Sequence, residues 1–202
     1  MLIAVIGGVG SGKSTVLTIL ERDFSVCGLR TDEVAGDLYR RGNPVFHALL
    51  RLLPDIGTAS GEGIDKRKLA ERIYGDAALR KEVEGIVHPA VWQEVERRML
   101  LSRERGESLA VETALPEEHF LRACTEVWFV YAEREVRISR LREGRGYSRT
   151  YAERIIDSQR SDEEYRRLSD WTLDNSGSEE ETRDEIYEHC KRLERECKLY
   201  RR

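Results

Sequence analysis

Five apolar residues, Leu2-Ile3-Ala4-Val5-Ile6, run straight into Gly7-Gly8-Val9-Gly10-Ser11-Gly12-Lys13-Ser14-Thr15 at the start of the chain. The second stretch fits the P-loop spacing G-x-x-x-x-G-K-[ST]. The spacing is demanding. Backbone N–H groups must wrap a phosphate chain, and side chains would block the approach, so glycines fill the turn. Lys13 is then placed to reach the β/γ-phosphates, and the Ser14 hydroxyl to ligate Mg²⁺. The helix that starts near Gly12 turns the positive end of its dipole toward the anion. A glycine-rich turn that binds nothing is the bland alternative. A strand pattern before the run and a helix pattern after it, Ser14-Thr15-Val16-Leu17-Thr18-Ile19-Leu20, favour a nucleoside triphosphate held by Gly8, Val9, Gly10, Ser11, Gly12, Lys13, Ser14 and Thr15.

The chain has 202 residues, which suits one compact domain with elaborations or a core plus a lid. A net charge of −4 argues against a general binder of nucleic acid or anionic membrane. No apolar run approaches membrane-spanning length, and Leu2–Ile6 is too short for a signal peptide. Cys27, Cys124, Cys190 and Cys197 form no C-x-x-C pair and sit with no histidine at zinc-ligand spacing. They read as reduced thiols, so a cytoplasmic protein is expected.

Short apolar runs at Leu2–Ile6, Ser25–Leu29, Leu109–Val111, Val127–Tyr131 and Trp171–Leu173 read as five buried parallel strands. Helical patterns separate them, which predicts an α/β fold with helices on both sheet faces. Ligands in such sheets sit at the carboxyl ends of the strands. Residues 35–107 read as a helical insertion, with a helix broken near His88-Pro89 and an apolar stripe of Val91, Trp92, Val95 and Met99 after the break. His88 reads as a helix-capping or buried hydrogen-bonded histidine. Gly57–Gly63 reads as an exposed loop. Residues 133–168 are helical and arginine-dense, and Glu179–Arg202 reads as one amphipathic helix with Ile186, Leu193 and Cys197 inward.

Phosphoryl transfer needs positioning and charge neutralisation more than covalent help. Asp32 stands just past the second strand and is the candidate for orienting an acceptor hydroxyl, with general-base help typically worth about 10²–10⁴ in rate. The alternative is a simple helix N-cap. Glu112 ends the third strand, placed to hold a Mg²⁺-bound water or the acceptor, or to serve the fold alone. Arg134, Arg137 and Arg140 recur every three residues and share a helix face. Of the arginines in this region, Arg140 and Arg145 flank the turn Glu143-Gly144 and are the expected cations on the transferred group. Asn175, after the fifth strand, is either a base contact or a turn residue.

These pieces in order resemble the dephospho-CoA kinase family over roughly residues 2–177. Gly7–Thr15 is similar to its P-loop, and Thr31-Asp32-Glu33-Val34-Ala35 to its Asp-Ala-Asp segment, with Asp32 at the catalytic aspartate. Gly61–Ala70 is similar to its "D-G-x-I-D-R-x-x-L" stretch, and Leu79–Trp92, with Glu84 and His88-Pro89, to its "L-E-x-I-x-H-P-x-V" segment. Arg140-Leu141, Gln159, Asp170–Asn175 and Gly177 are similar to its lid and adenine-side pattern. The resemblance implies a three-layer α/β/α P-loop kinase with a core of residues 1–34, 108–132 and 169–202. Residues 35–107 would be the acceptor-binding insertion and 133–168 the lid. It implies ATP and Mg²⁺ as cofactors and phosphorylation of the 3′-hydroxyl of dephospho-CoA. Lys13, Asp32 and Arg140 would be catalytic, Arg145 and Asn175 ATP-binding, and Ser14 and Glu112 metal-binding. No nucleic-acid or membrane partner is implied, and the chain would be a monomer or weak homo-oligomer. The chain departs from the family pattern at Arg30, Lys66 and Ala114-Leu115-Pro116, and Gly144 holds the place of the second lid arginine, with Arg145 one residue later. The first three leave open a kinase of another nucleoside or nucleotide. The last leaves open a nucleotide sensor without turnover.

Overall fold

The structure is a computed structural model that describes residues 1–199, with side chains through Leu193. Strands β1 (Leu2–Ile6), β2 (Cys27–Arg30), β3 (Leu109–Thr113), β4 (Glu126–Tyr131) and β5 (Trp171–Asp174) form one parallel sheet in the order β2-β3-β1-β4-β5. The second strand starts later than the apolar run suggests. Ser25 takes a left-handed conformation (φ 54°) to close helix α1 (Lys13–Phe24), and extension resumes only at Cys27.

Two compact units divide the chain: Met1–Gly28 with the residues from Gly106 onward, and Leu29–Arg105. In the first, successive side chains of a strand point to opposite faces, and both faces are covered. Ile3, Val5, Trp128, Val130 and Leu173 pack with Val16, Leu17 and Leu20 of α1 and with Ile186, Cys190 and Leu193 of α10 (Glu179–Leu199). Phe129 points the other way and stacks on Tyr165 of α9 (Asp162–Leu168), with ring centroids 5.3 Å apart. Burial on both faces is why these strands read as continuous apolar runs rather than alternating ones. Of the predicted C-terminal helix, Ile186 and Leu193 face inward as expected. The side chain of Cys197 and the residues Tyr200–Arg202 lie outside the described residues.

The arginine-dense region folds as α7 (Arg134–Arg145), α8 (Arg149–Asp157) and α9. It carries a small core of its own, where Ile138 and Leu141 meet Ala152 and Ile156, with Val9 and Tyr147 against them. Between β3 and β4 lies a short helix, α6 (Glu118–Ala123), which buries Phe120.

The second unit is helical: α2 (Thr31–Leu38), α3 (Pro44–Leu52), α4 (Lys66–Ile73) and α5 (Ala77–Glu104), with α5 packed on the other three. Side chains fix where α3, α4 and α5 begin. Asn43, Asp65 and Asp76 each accept a backbone N–H from the first turn, at 2.9–3.1 Å. The expected break at His88-Pro89 is corrected, because α5 runs unbroken through Pro89. Proline removes one helical N–H and crowds the carbonyl four residues back. That residue is Gly85, which is exposed and has open space around it. His88 accordingly sits half-buried in mid-helix rather than at a cap. Val91, Trp92 and Val95 are buried as the stripe predicts, while Met99 is only half-buried. The Gly57–Gly63 loop is exposed at its tip and tied by Thr58 N–H to Gly63 O and Gly61 N–H to Thr58 O, both 2.9 Å. No helix among the described residues is long and apolar enough to cross a membrane.

Candidate active site

The loop between β1 and α1 lies at the carboxyl edge of the central strand, where the sheet rule places a ligand. Gly12 caps α1 with φ 92°, and a Cβ there would fall 1.9 Å from Asn175 Nδ2, so only glycine fits. Lys13 is buried and folds back across the loop, its Nζ donating to Gly8 O at 3.1 Å. Ser14 Oγ donates to the Glu112 carboxylate at 3.1 and 3.2 Å. Glu112 is brought there by register, opposite Val5 of β1. The two expected metal-binding residues are thus adjacent. A hydroxyl and a carboxylate oxygen suit Mg²⁺, which binds through one or two protein oxygens and otherwise through water and phosphate.

Helix α7 supplies two inward guanidinium groups. Arg140 donates from Nη1 to Ser11 O (3.3 Å) and from Nη2 to Asn175 O (2.8 Å). Arg137 donates from Nε to Val9 O (2.9 Å), while Gln159 Oε1 accepts from Val9 N–H (2.7 Å). Both peptide groups of Val9 are therefore held from the arginine-rich region. Burial pulls both guanidinium groups below their ordinary pKa, with Asp162 partly opposing this at Arg137. Ser11 Oγ and Arg137 Nη2 are the two buried side-chain polar atoms without a hydrogen-bond partner among the described residues, and both belong to this site. Buried donors are almost always satisfied. Two orphans around a glycine loop beside a buried lysine fit an anion that accepts from them.

Two expectations are corrected here. Glu143-Gly144 is no turn. Helix α7 continues through Arg145, and the chain turns at Gly146 (φ 66°). Five residues of helix rotate a side chain by about 140°, so Arg145 leaves the face of Arg140 and stands exposed. Asn175 is buried with its amide committed, Nδ2 donating to Ser11 O (2.7 Å) and Oδ1 accepting from Thr182 Oγ1 (2.8 Å). It props the loop instead of reading a base edge.

Asp32 lies in the other unit, exposed in the first turn of α2. Arg30 is the N-cap of that helix, so the capping alternative for Asp32 is set aside. The sequence sets Arg137 on one helix face with Arg134 and Arg140 but favours Arg140 and Arg145 as the cations, and it does not single out Thr182. Arg137 carries a local signal, because it falls four residues before the buried Leu141 and so on the inward stripe of α7. Thr182 carries none.

A family model described as "CoaE: Dephospho-CoA kinase" matches residues 1–181. The chain belongs to the dephospho-CoA kinase family. Dephospho-CoA kinase of Geobacter sulfurreducens is 33% identical over 195 residues, covering 93% of this chain and 95% of that one. The enzyme of Shouchella clausii is 30% identical, covering 93% and 96%. Among solved structures, TT1252 from Thermus thermophilus has a TM-score of 0.72 at 28% identity, covering 96% of this chain and 97% of that one. Dephospho-CoA kinase from Campylobacter jejuni has a TM-score of 0.71 at 19% identity, covering 95% and 96%. Shikimate kinase from Acinetobacter baumannii, at 0.54 and 16%, shares the fold. The family and the sheet together make this a P-loop kinase with an α/β core.

Proposed function

We propose that the chain transfers the γ-phosphoryl group of ATP to the 3′-hydroxyl of dephospho-CoA, giving coenzyme A, with the roles divided as follows. Lys13 leaves Gly8 O for the β/γ-phosphates, and the loop amides of residues 8–15 wrap the chain of phosphates. Ser14 and Glu112 would hold Mg²⁺, which would supply charge neutralisation on the phosphate oxygens. Arg140 neutralises charge on the transferred group from α7, within a lid of residues 133–168. Asp32 aligns the acceptor hydroxyl and takes its proton as the ribose oxygen bonds to phosphorus and the bond from phosphorus to the β-phosphate oxygen breaks. The helical insertion of residues 35–107 holds the rest of the acceptor.

The observation that carries the donor half is the pair of unpartnered buried donors around the glycine loop. The acceptor half follows from membership of the family. We place the reaction in the cytoplasm. Cys27 and Cys124 form no disulfide, and burial, with the charge of Asp170, pushes the Cys124 thiol up to about 12. The test is ADP release by the purified chain with dephospho-CoA as acceptor and adenosine as a control acceptor. Turnover with dephospho-CoA alone is expected. Faster turnover of adenosine, or none with millimolar dephospho-CoA, would overturn the acceptor.

A further inference from the structure

The Arg137 guanidinium is nearly sealed from solvent, its side chain 6% exposed, yet only part of it is answered. Nε is committed to Val9 O, and Nη1 lies 3.5 Å from Asp162 Oδ1, an ion-pair distance too long for a good hydrogen bond. Nη2 is buried and has no partner. Its direction is fixed by what it lies against, because a Cβ placed on Gly8 would fall 2.2 Å from Nη2. Gly8 is also where Lys13 Nζ lands, on the carbonyl oxygen. Two cations, one from α1 and one from α7, thus converge on the same loop residue. A P-loop lysine serves the β/γ end of the phosphate chain, and Nη2 lies against the loop residue that this lysine bonds. A guanidinium is the side chain that best matches phosphate oxygens.

We propose that Arg137 is a further phosphoryl-binding cation of this enzyme, beside Lys13 and Arg140, with Nη2 taking an oxygen of the terminal phosphate of ATP. Nε meanwhile holds the Val9 carbonyl, so that its negative end does not turn into the anion site. Glycine at position 8 is what lets the guanidinium approach the loop backbone. Arg140 comes from the same helix but grips other parts of the site, Ser11 O and Asn175 O instead of Val9 O. It also gives α7 a second functional arginine in place of Arg145, which faces away.

The inference rests on the reading of the loop as the ATP site, and the experiment separates the two. Arg137→Met and Arg137→Lys are compared with the unaltered chain in turnover, in melting temperature, and in calorimetric affinity for ADP and for a non-hydrolysable ATP analogue. If the unaltered chain binds neither nucleotide, the earlier reading fails. If it binds both, Arg137→Met is expected to lose at least about tenfold in affinity for the analogue and on the order of a hundredfold in kcat, with ADP affinity held within about threefold. Arg137→Lys keeps the charge without the fork and is expected to recover part of the loss. A loss of analogue affinity below tenfold, or an equal loss for ADP, overturns the proposal. If Arg137→Met does not fold, Arg137→Lys carries the same comparison, and failure of both to fold makes Arg137 a prop alone and overturns it too.

Discussion

Lys13 bridges to the Gly8 carbonyl from inside the protein, and Asp32 stands exposed at the start of a helix it does not cap. The two residues answer to different substrates in the proposed mechanism, so substitutions at each give opposite signatures. Lys13→Ala removes the ammonium from the phosphate loop and is expected to weaken ATP and ADP binding by at least about tenfold, read by calorimetry. Asp32→Asn keeps the shape and loses the proton acceptor. It is expected to leave ATP affinity and melting temperature unchanged while turnover falls by about a hundredfold or more. Retained turnover in Asp32→Asn would remove this carboxylate from the chemistry. A melting temperature that dropped with it would mark a structural part that its exposed place in α2 gives no reason to expect.

Elements meet at the phosphate loop through long-range hydrogen bonds, and Asn175 shows what one of them contributes. Its amide ties the end of β5 and Thr182 of α10 to Ser11 O. Asn175→Ala leaves the Ser11 carbonyl to Arg140 alone and the Thr182 hydroxyl to Ser178 O. Disturbing a buried polar group this way costs about 1–3 kcal/mol. The melting temperature should therefore fall by roughly 2–12 °C, and nucleotide affinity should fall with it; a loss of affinity at unchanged stability would mean instead that Asn175 touches the nucleotide. The same bonds explain what could be read in the sequence. The strands were legible because each is a short apolar run buried on both faces, and the phosphate loop because its glycines and Lys13 are contiguous. Arg137, Gln159 and Thr182 reach the loop or its prop from 128, 150 and 7 residues away in the chain, and no local period records a pairing of that kind. Gly144 reads as a turn, which would set Arg145 beside Arg140. The burial of Ile138 and Leu141 outweighs a glycine's helix cost of roughly 1 kcal/mol and carries α7 through it. Pro89 misled in the same way, by a local rule that the packing of α5 on three neighbouring helices overrides.

At the scale of the whole molecule, the proposed roles fall into separate units. The phosphate loop, Glu112, Arg137, Arg140 and Asn175 belong to Met1–Gly28 and the residues from Gly106 onward, while Asp32 and α3–α5 belong to Leu29–Arg105. A ligand stabilises the folded state it binds by RT ln(1 + [L]/Kd), about 2.7 kcal/mol at a hundred times Kd. For amides that exchange only when the unit holding the ligand opens, that is roughly a hundredfold slower exchange. ADP is therefore expected to slow hydrogen exchange in β1, α1, α7 and the β5–α10 junction and to leave α3, α4 and α5 near their unliganded rates. Adding coenzyme A, the product, is expected to slow exchange in α3–α5 as well. Mass spectrometry of peptides from the exchanging protein reads both outcomes on one sample series. Equal protection of Leu29–Arg105 by ADP alone would mean that the two units open as one, and protection by coenzyme A confined to the first unit would take the acceptor role away from the helical insertion.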